Sequence, residues 1–401
     1  MDSTGELAGG RTVTDARGGP TTSHGEPEVD VIAEDVTTQK RRAERLLLRG
    51  IHRRRHKVGS MRVALMALGA GCAVAAAVVL VPRRNKRAHF YAIGTPGMKW
   101  GARERAAWLA HAGTVQRSYK EEVLAKIVAL KADYDVEQYG ALSQDPDRYP
   151  LFCVKTRAWD PSKPSVLITG GVHGYEKSGV QGALLFLQNE AQRYSARFNI
   201  CVCPCLCPWG YETIQRWTAI AEDPNRHFVA DTVCEETRAL MALVKSLEVT
   251  CKVTQWTMHL DLHETTDSDK DEFRPAKASR DGQALPDEAI PDGFYLIGCK
   301  SAEDPKSTER QWLAAIIDGV RKVTHIAPPD ANGEIVEEPE VQPGIILTPH
   351  ADRSRCVTNA TFRATTEVYP DSKSHAVTED VCNRAQVAAA TAALDFIVGL
   401  P

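Results

Sequence analysis

The chain has 401 residues, 43% hydrophobic and 25% charged, with a formal net charge of −3; this much apolar material can bury a large core, which excludes a wholly disordered protein. The charge is uneven: residues 1–90 carry 16 Lys and Arg against 9 Asp and Glu, leaving 33 against 43 in residues 91–401. An acidic main body excludes nucleic acid as a partner, because phosphate binding needs clustered Lys and Arg.

In chain order, residues 1–60 show no helical or strand period. They are rich in Gly, Thr, Asp and Glu at first and turn basic from Lys40 to Lys57, a composition that predicts disorder. Val63 to Val81 then runs 19 residues without a charge. At about 1.5 Å per residue that length just crosses a bilayer core, so residues 61–82 are read as a transmembrane or signal-anchor segment, with an organelle-targeting presequence as the alternative. The larger basic load before the segment predicts a cytosolic N-terminus and a single-pass membrane protein whose main domain is translocated.

From Tyr91 onward one compact domain is expected. Ser118 and Glu121 make a capping box ahead of Val123, Ile127 and Leu130 at helical spacing, and Ser178 with Gln181 makes another ahead of Leu184 and Leu187. Short apolar runs predict strands at Val166–Ile168, Ile200–Cys207, Thr257–Leu262, Tyr295–Gly298, Ile345–Leu347 and Phe362–Val368. A helix is predicted across Glu235–Ser246. A final one over Glu379–Val398 carries Val381, Ala385, Ala388, Ala392 and Phe396 on one face. Strands alternating with helices imply an α/β fold with a mixed, largely parallel sheet flanked by helices. Four of the eleven cysteines fall at Cys201, Cys203, Cys205 and Cys207. At that spacing on a strand disulfide geometry is poor, so they are read as small buried side chains that stay reduced.

Four segments carry candidate chemistry. Gly170 to Glu176 puts His173 and Glu176 three apart just past an apolar strand, where open α/β sheets bind ligands. In His259-Leu260-Asp261-Leu262-His263-Glu264, His263 ends another strand, and two histidines with one carboxylate have the composition of a catalytic zinc site with an open fourth position. In Arg363 to Tyr369, Glu367 shares a strand face with Arg363, Thr365 and Tyr369, where a carboxylate can serve as general acid/base. Glu264 competes for that role, but adjacent strand residues face opposite ways, so it is expected to point away from the metal. The fourth segment supplies Arg216, Asn225 and Arg226, with arginines suited to a substrate carboxylate or a polarised carbonyl.

In this order the pieces resemble the zinc carboxypeptidase superfamily, including its short branch of succinylglutamate desuccinylase- and aspartoacylase-like deacylases. The resemblance covers about Ser165 to Pro370 and includes the Pro208-Trp209-Gly210 turn and Phe228. It implies one Zn²⁺ held by His173, Glu176 and His263, with Glu367 as general acid/base. It also implies Arg216 at the carbonyl oxygen, and Asn225 and Arg226 on a substrate carboxylate. The implied activity is metallocarboxypeptidase-like proteolysis, with deacylation of an N-acyl amino acid as the alternative and an inactive membrane-tethered binding protein as a third reading. The chain departs from the family at Cys207, where Asn is usual, and at Pro224, where Leu is usual. The His173-to-His263 spacing is closer to the deacylase branch. Tyr295 and Tyr369 are both candidates for a substrate-capping tyrosine, and Thr265 to Gly293 is read as a specificity loop or a solvated insertion.

Overall fold

The computed structural model describes residues 91–285, 289–349 and 351–401. Residues 1–60 and 61–82 lie outside these, and so do the readings of disorder and of a membrane segment placed on them. Among the described residues no helix is long and apolar enough to cross a membrane. The single-pass membrane placement is therefore corrected: it rested on hydropathy alone, and no described helix carries it.

The core is a ten-stranded sheet in the order β1-β2-β4-β3-β5-β10-β6-β9-β8-β7. Its strands are β1 Asp135–Ala141, β2 Pro150–Lys155, β3 Ser165–Gly170, β4 Asn199–Cys203, β5 Trp256–Glu264, β6 Tyr295–Cys299, β7 Glu334–Ile335, β8 Glu338–Gln342, β9 Ile345–Thr348 and β10 Phe362–Val368. β4, β3, β5 and β10 run parallel at the centre, as do β6 and β9, while the other neighbours are antiparallel. "Largely parallel" thus holds only for the middle. β1, β7 and β8 lack the continuous apolar runs of buried strands, with residues such as Asp135, Glu137 and Glu338 in them, whereas β2 does carry one, Leu151 to Val154, that the sequence reading passed over.

The helices used below are α1 Ala102–Ala112, α2 Lys177–Asn189, α3 Pro208–Thr213, α4 Glu235–Thr250, α5 Arg274–Arg280, α6 Thr308–Val320 and α7 Glu379–Val398. Half of the Ser118 capping box forms: its hydroxyl accepts from the Glu121 N–H at 3.1 Å, while its own N–H donates to Glu122 Oε1 at 3.4 Å and not to Glu121. The second box does not cap: Glu176 occupies that position and Ser178 lies inside α2. α7 buries Cys382, Ala385, Gln386, Ala389, Ala390, Ala393 and Leu394, a stripe rotated from the expected one because small alanines on every side blur the 3.6-residue signal. β4 ends at Cys203, and Pro208 opens α3 at its first turn, a position that suits its fixed φ. Cys201 and Cys203 pack with Leu167, Leu240 and Trp256, whereas Cys205 belongs to the other core cluster. All four are buried free thiols.

The parallel centre decides where the site forms. The C-terminal ends of β3, β5 and β10 lie side by side, with Glu367 in register with His263 on β5 and with Tyr295 on β6. Loops leaving these ends share one crevice.

Candidate metal and active site

Beyond β3 the chain turns sharply at Gly171, whose φ of +62° lies in the left-handed region open to glycine. Gly174 then touches α3: a Cβ there would lie 2.1 Å from Gly210 C and Tyr211 N. Arg117 fastens the same loop, donating from Nη2 to Gly174 O and from Nε to Tyr211 O, each at 2.5 Å, with its guanidinium 3.8 Å over the Tyr211 ring. Thus held, His173 and Glu176 face each other, Nδ1 to Oε1 at 2.6 Å. His263 at the end of β5 brings its Nδ1 to 2.8 Å from the other carboxylate oxygen, Oε2. One ligand atom from each of His173, Glu176 and His263 lies within 4.8 Å of the others, and all three residues are buried.

Two aspartates set the imidazoles. Asp223 accepts from His173 Nε2 at 3.0 Å and Asp261 from His263 Nε2 at 2.7 Å. With Nε2 donating to these acceptors, both Nδ1 atoms are turned toward Glu176, the side a metal would take. Asp261 is itself tied to Thr169 Oγ1 at 2.6 Å. Burial opposes charge on Glu176, but His263 and His173 outweigh it and hold its carboxyl well below the usual range. Burial likewise opposes charge on His263, which Asp261 and Glu176 nonetheless push well above 6.5. Glu176 Oε2 makes no hydrogen bond despite its closeness to His263, because the approach is off-line. A buried, ionised carboxylate facing the Nδ1 atoms of two imidazoles, one on each oxygen, fits a divalent cation that would displace the proton on His263. The donor set of two nitrogens and one oxygen suits zinc.

Next to this triad lies a cavity of about 420 Å³, within the size range of small-ligand sites, with Arg216, Arg226, Glu367, Tyr295, Asp269 and Phe273 in its wall.

No family model matches the sequence, and no curated protein matches it. Solved structures do. A provisionally named metallopeptidase of Shewanella amazonensis SB2B is 19% identical at a TM-score of 0.51, over 70% of this chain and 97% of that one. One from Shewanella denitrificans OS217 is 19% identical at 0.50, over 68% and 87%. A third, from Shewanella baltica OS155, is 20% identical at 0.50, over 69% and 90%. The chain shares the fold of these three proteins.

Within this fold the other expected residues separate. Arg216 follows Ile214, held at a φ of +54° just past α3. Its guanidinium meets Asp223 at 3.3 Å and Asp269 at 3.1 Å and lies 3.8 Å from Glu176. Glu367 lies on the cavity wall, with Oε2 accepting from Thr265 Oγ1 at 2.8 Å. Burial, partly offset by His263 and reinforced by Glu176, pushes its carboxyl up to about 8 in the metal-free site. Arg226 also lines the cavity. Asn225 does not: it is buried, its Oδ1 accepts from Ser354 N at 2.8 Å, and its carbonyl accepts from Arg226 Nη1 at 2.8 Å. It stands behind Arg226, and the hydrogen-bond pattern that ties it there cannot be read from the sequence.

Glu264 also reaches the cavity wall, but its Oε1 accepts from the Ser178 N–H at 2.7 Å, at the start of α2. Tyr295 lines the cavity with its hydroxyl on Thr265 at 2.8 Å, whereas the Tyr369 hydroxyl donates to Asp267 at 2.9 Å. The first part of the segment after Thr265 is helical and packed against the site. It winds through Asp269–Phe273 into α5, and Asp269, Phe273, Arg274 and Lys277 form one wall. Sequence reasoning missed Asp269, which accepts from Tyr175 Oη at 2.9 Å and anchors Arg216. The crowding of acids from Asp267 to Glu272 was its only signal, and such runs are usually solvated. Asp223 and Asp261 were visible within their motifs, but their role as imidazole acceptors was not.

Proposed function

We propose that this protein is a zinc-dependent hydrolase of amide bonds, acting in the manner of a metallocarboxypeptidase on a substrate that presents a free carboxylate. The observation that carries this reading is the meeting of the two Nδ1 atoms and the Glu176 carboxylate beside a cavity bearing Glu367, Arg216 and Arg226. His173, Glu176 and His263 would hold the ion. When bound, zinc supplies a Lewis acid and an acidified water. Asp223 and Asp261 keep the imidazoles in the tautomer that ligation needs. Glu367, beside Thr265, is suited to accept a proton at Oε2 and return it to the departing amine. Arg216, kept charged by Asp223 and Asp269, is suited to the carbonyl oxygen. Arg226, backed by Asn225, is suited to the carboxylate.

Deacylation of an N-acyl amino acid is the second reading. It is favoured by the short spacing from His173 to His263 in the chain. The zinc-loaded protein should be assayed against blocked dipeptides, their C-terminal amides and N-acyl amino acids. Cleavage of dipeptides but not their amides is expected, and Arg226→Gln should raise KM for the free acid with little change in kcat. Equal cleavage of acid and amide would refute the carboxylate requirement, and turnover of N-acyl amino acids alone would favour the deacylase.

A further inference from the structure

A second group of metal-type donors lies apart from the triad. Asp292 precedes β6, His325 follows α6, and His375 lies between β10 and α7; one ligand atom from each falls within 4.8 Å of the others. We propose that Asp292, His325 and His375 form a second binding site for a divalent ion of the zinc class, a clasp that joins three segments at the rim of the sheet. Nothing in this proposal depends on the activity proposed above.

The backbone already organises two of the donors. Phe294 N–H donates to His325 O at 3.0 Å and Ala327 N–H to Phe294 O at 2.9 Å, so Asp292 and His325 are carried on paired chain. His325 Nε2 lies 3.0 Å from Asp292 Oδ1. The His375 ring stacks on His325 with centroids 3.7 Å apart and planes 10° from parallel. Ser374 Oγ donates to the other Asp292 oxygen.

The spacing suits zinc. Bonds of about 2.0–2.2 Å in a tetrahedron set ligand atoms roughly 3.3–3.5 Å apart. The Asp292–His325 separation is close to this, so an ion can take the place of the proton between them. His375 is exposed, and its ring would turn off its stack on His325 to bring a lone pair to the ion. Water completes the set. The clasp would fix the approach to Tyr295, which lines the cavity, and the strap that leaves Glu367.

The test is zinc stoichiometry by elemental analysis after zinc loading and gel filtration of the native chain. About two ions per chain are expected. His375→Ala, at an exposed position that does not threaten the fold, should lose one, and His173→Ala should lose the other. Zinc should also raise the Tm of His173→Ala, and not that of the protein with both substitutions. If native and His375→Ala proteins retain equal zinc, the clasp is overturned. If the native chain holds one ion that His375→Ala loses and His173→Ala keeps, the clasp stands and the zinc hydrolase reading fails.

Discussion

Replacing Glu367 by Gln tests the proposed chemistry more sharply than removing a metal ligand. The side chain keeps its shape, and a Gln oxygen still accepts from Thr265 Oγ1, which Glu367 engages at 2.8 Å. His173, Glu176 and His263 make their contacts with one another and with Asp223 and Asp261, so zinc content should not change. What disappears is a carboxyl whose ordinary pKa is raised to about 8 by burial, against the pull of His263. Such a group can hold and release a proton near neutral pH, and a Gln cannot. The expected loss is roughly 10²–10⁴ in kcat, about 3–5 kcal/mol of barrier. Because only the ionised carboxylate accepts a proton, kcat/KM should fall on the acid side of its titration in the native protein, and Gln should erase that limb. Glu264→Gln is the control: its carboxyl, raised by burial to about 7, is engaged with the Ser178 N–H, so zinc and most activity should survive. Near-native turnover of Glu367→Gln, or abolition by Glu264→Gln alone, would refute the assignment.

Asp261→Asn should weaken zinc affinity about 10–100-fold in chelator competition, because an amide can donate to His263 Nε2 and shift the proton to Nδ1; unchanged affinity would show that tautomer control is not its role. Glu236, buried in the first turn of α4, has its carboxyl raised to about 7 by burial. The native state keeps a proton that the unfolded chain releases, so its stabilising contribution is full below the ordinary pKa and is lost as pH rises through about 7, on the order of 3 kcal/mol. Urea titrations of zinc-free protein from pH 5 to 8 should show Glu236→Gln gaining on the native chain as pH rises; a constant difference would count against a protonated Glu236.

The convergence of His173, Glu176 and His263 was legible because these residues stand at the ends of apolar runs. His173 and Glu176 follow a run that ends in two glycines, and His263 continues a buried polar row, His259 and Asp261, that alternates with apolar residues on β5. β10 was legible to the residue, Phe362–Val368, since its polar face alternates cleanly. What failed to show was what depends on distant partners. Asn225 was read as a substrate ligand from its motif, yet its side chain is tied to Ser354 N, 129 positions away. Asp269 was hidden in an acidic run, and its bonds to Tyr175 and Arg216 exist only because α5 folds back over the cavity. β1 lies at the edge of the sheet, where hydrophobic patterning weakens.

The distribution of acids around the site argues that the metal-free state is a compromise. Glu176, Asp223, Asp261 and Asp269 are all buried and converge on two histidines and Arg216. Without an ion, charge balance requires a proton on His263, which the surrounding carboxylates hold well above the ordinary imidazole range despite burial. That proton occupies the nitrogen a metal would use, so ligation must expel it and zinc affinity should rise with pH. Arg216 is anchored on its own by Asp223 and Asp269, so exchanging proton for metal leaves the cation beside the reacting centre in place. The same carboxylates therefore hold the folded site together without metal and orient the ligands when metal arrives.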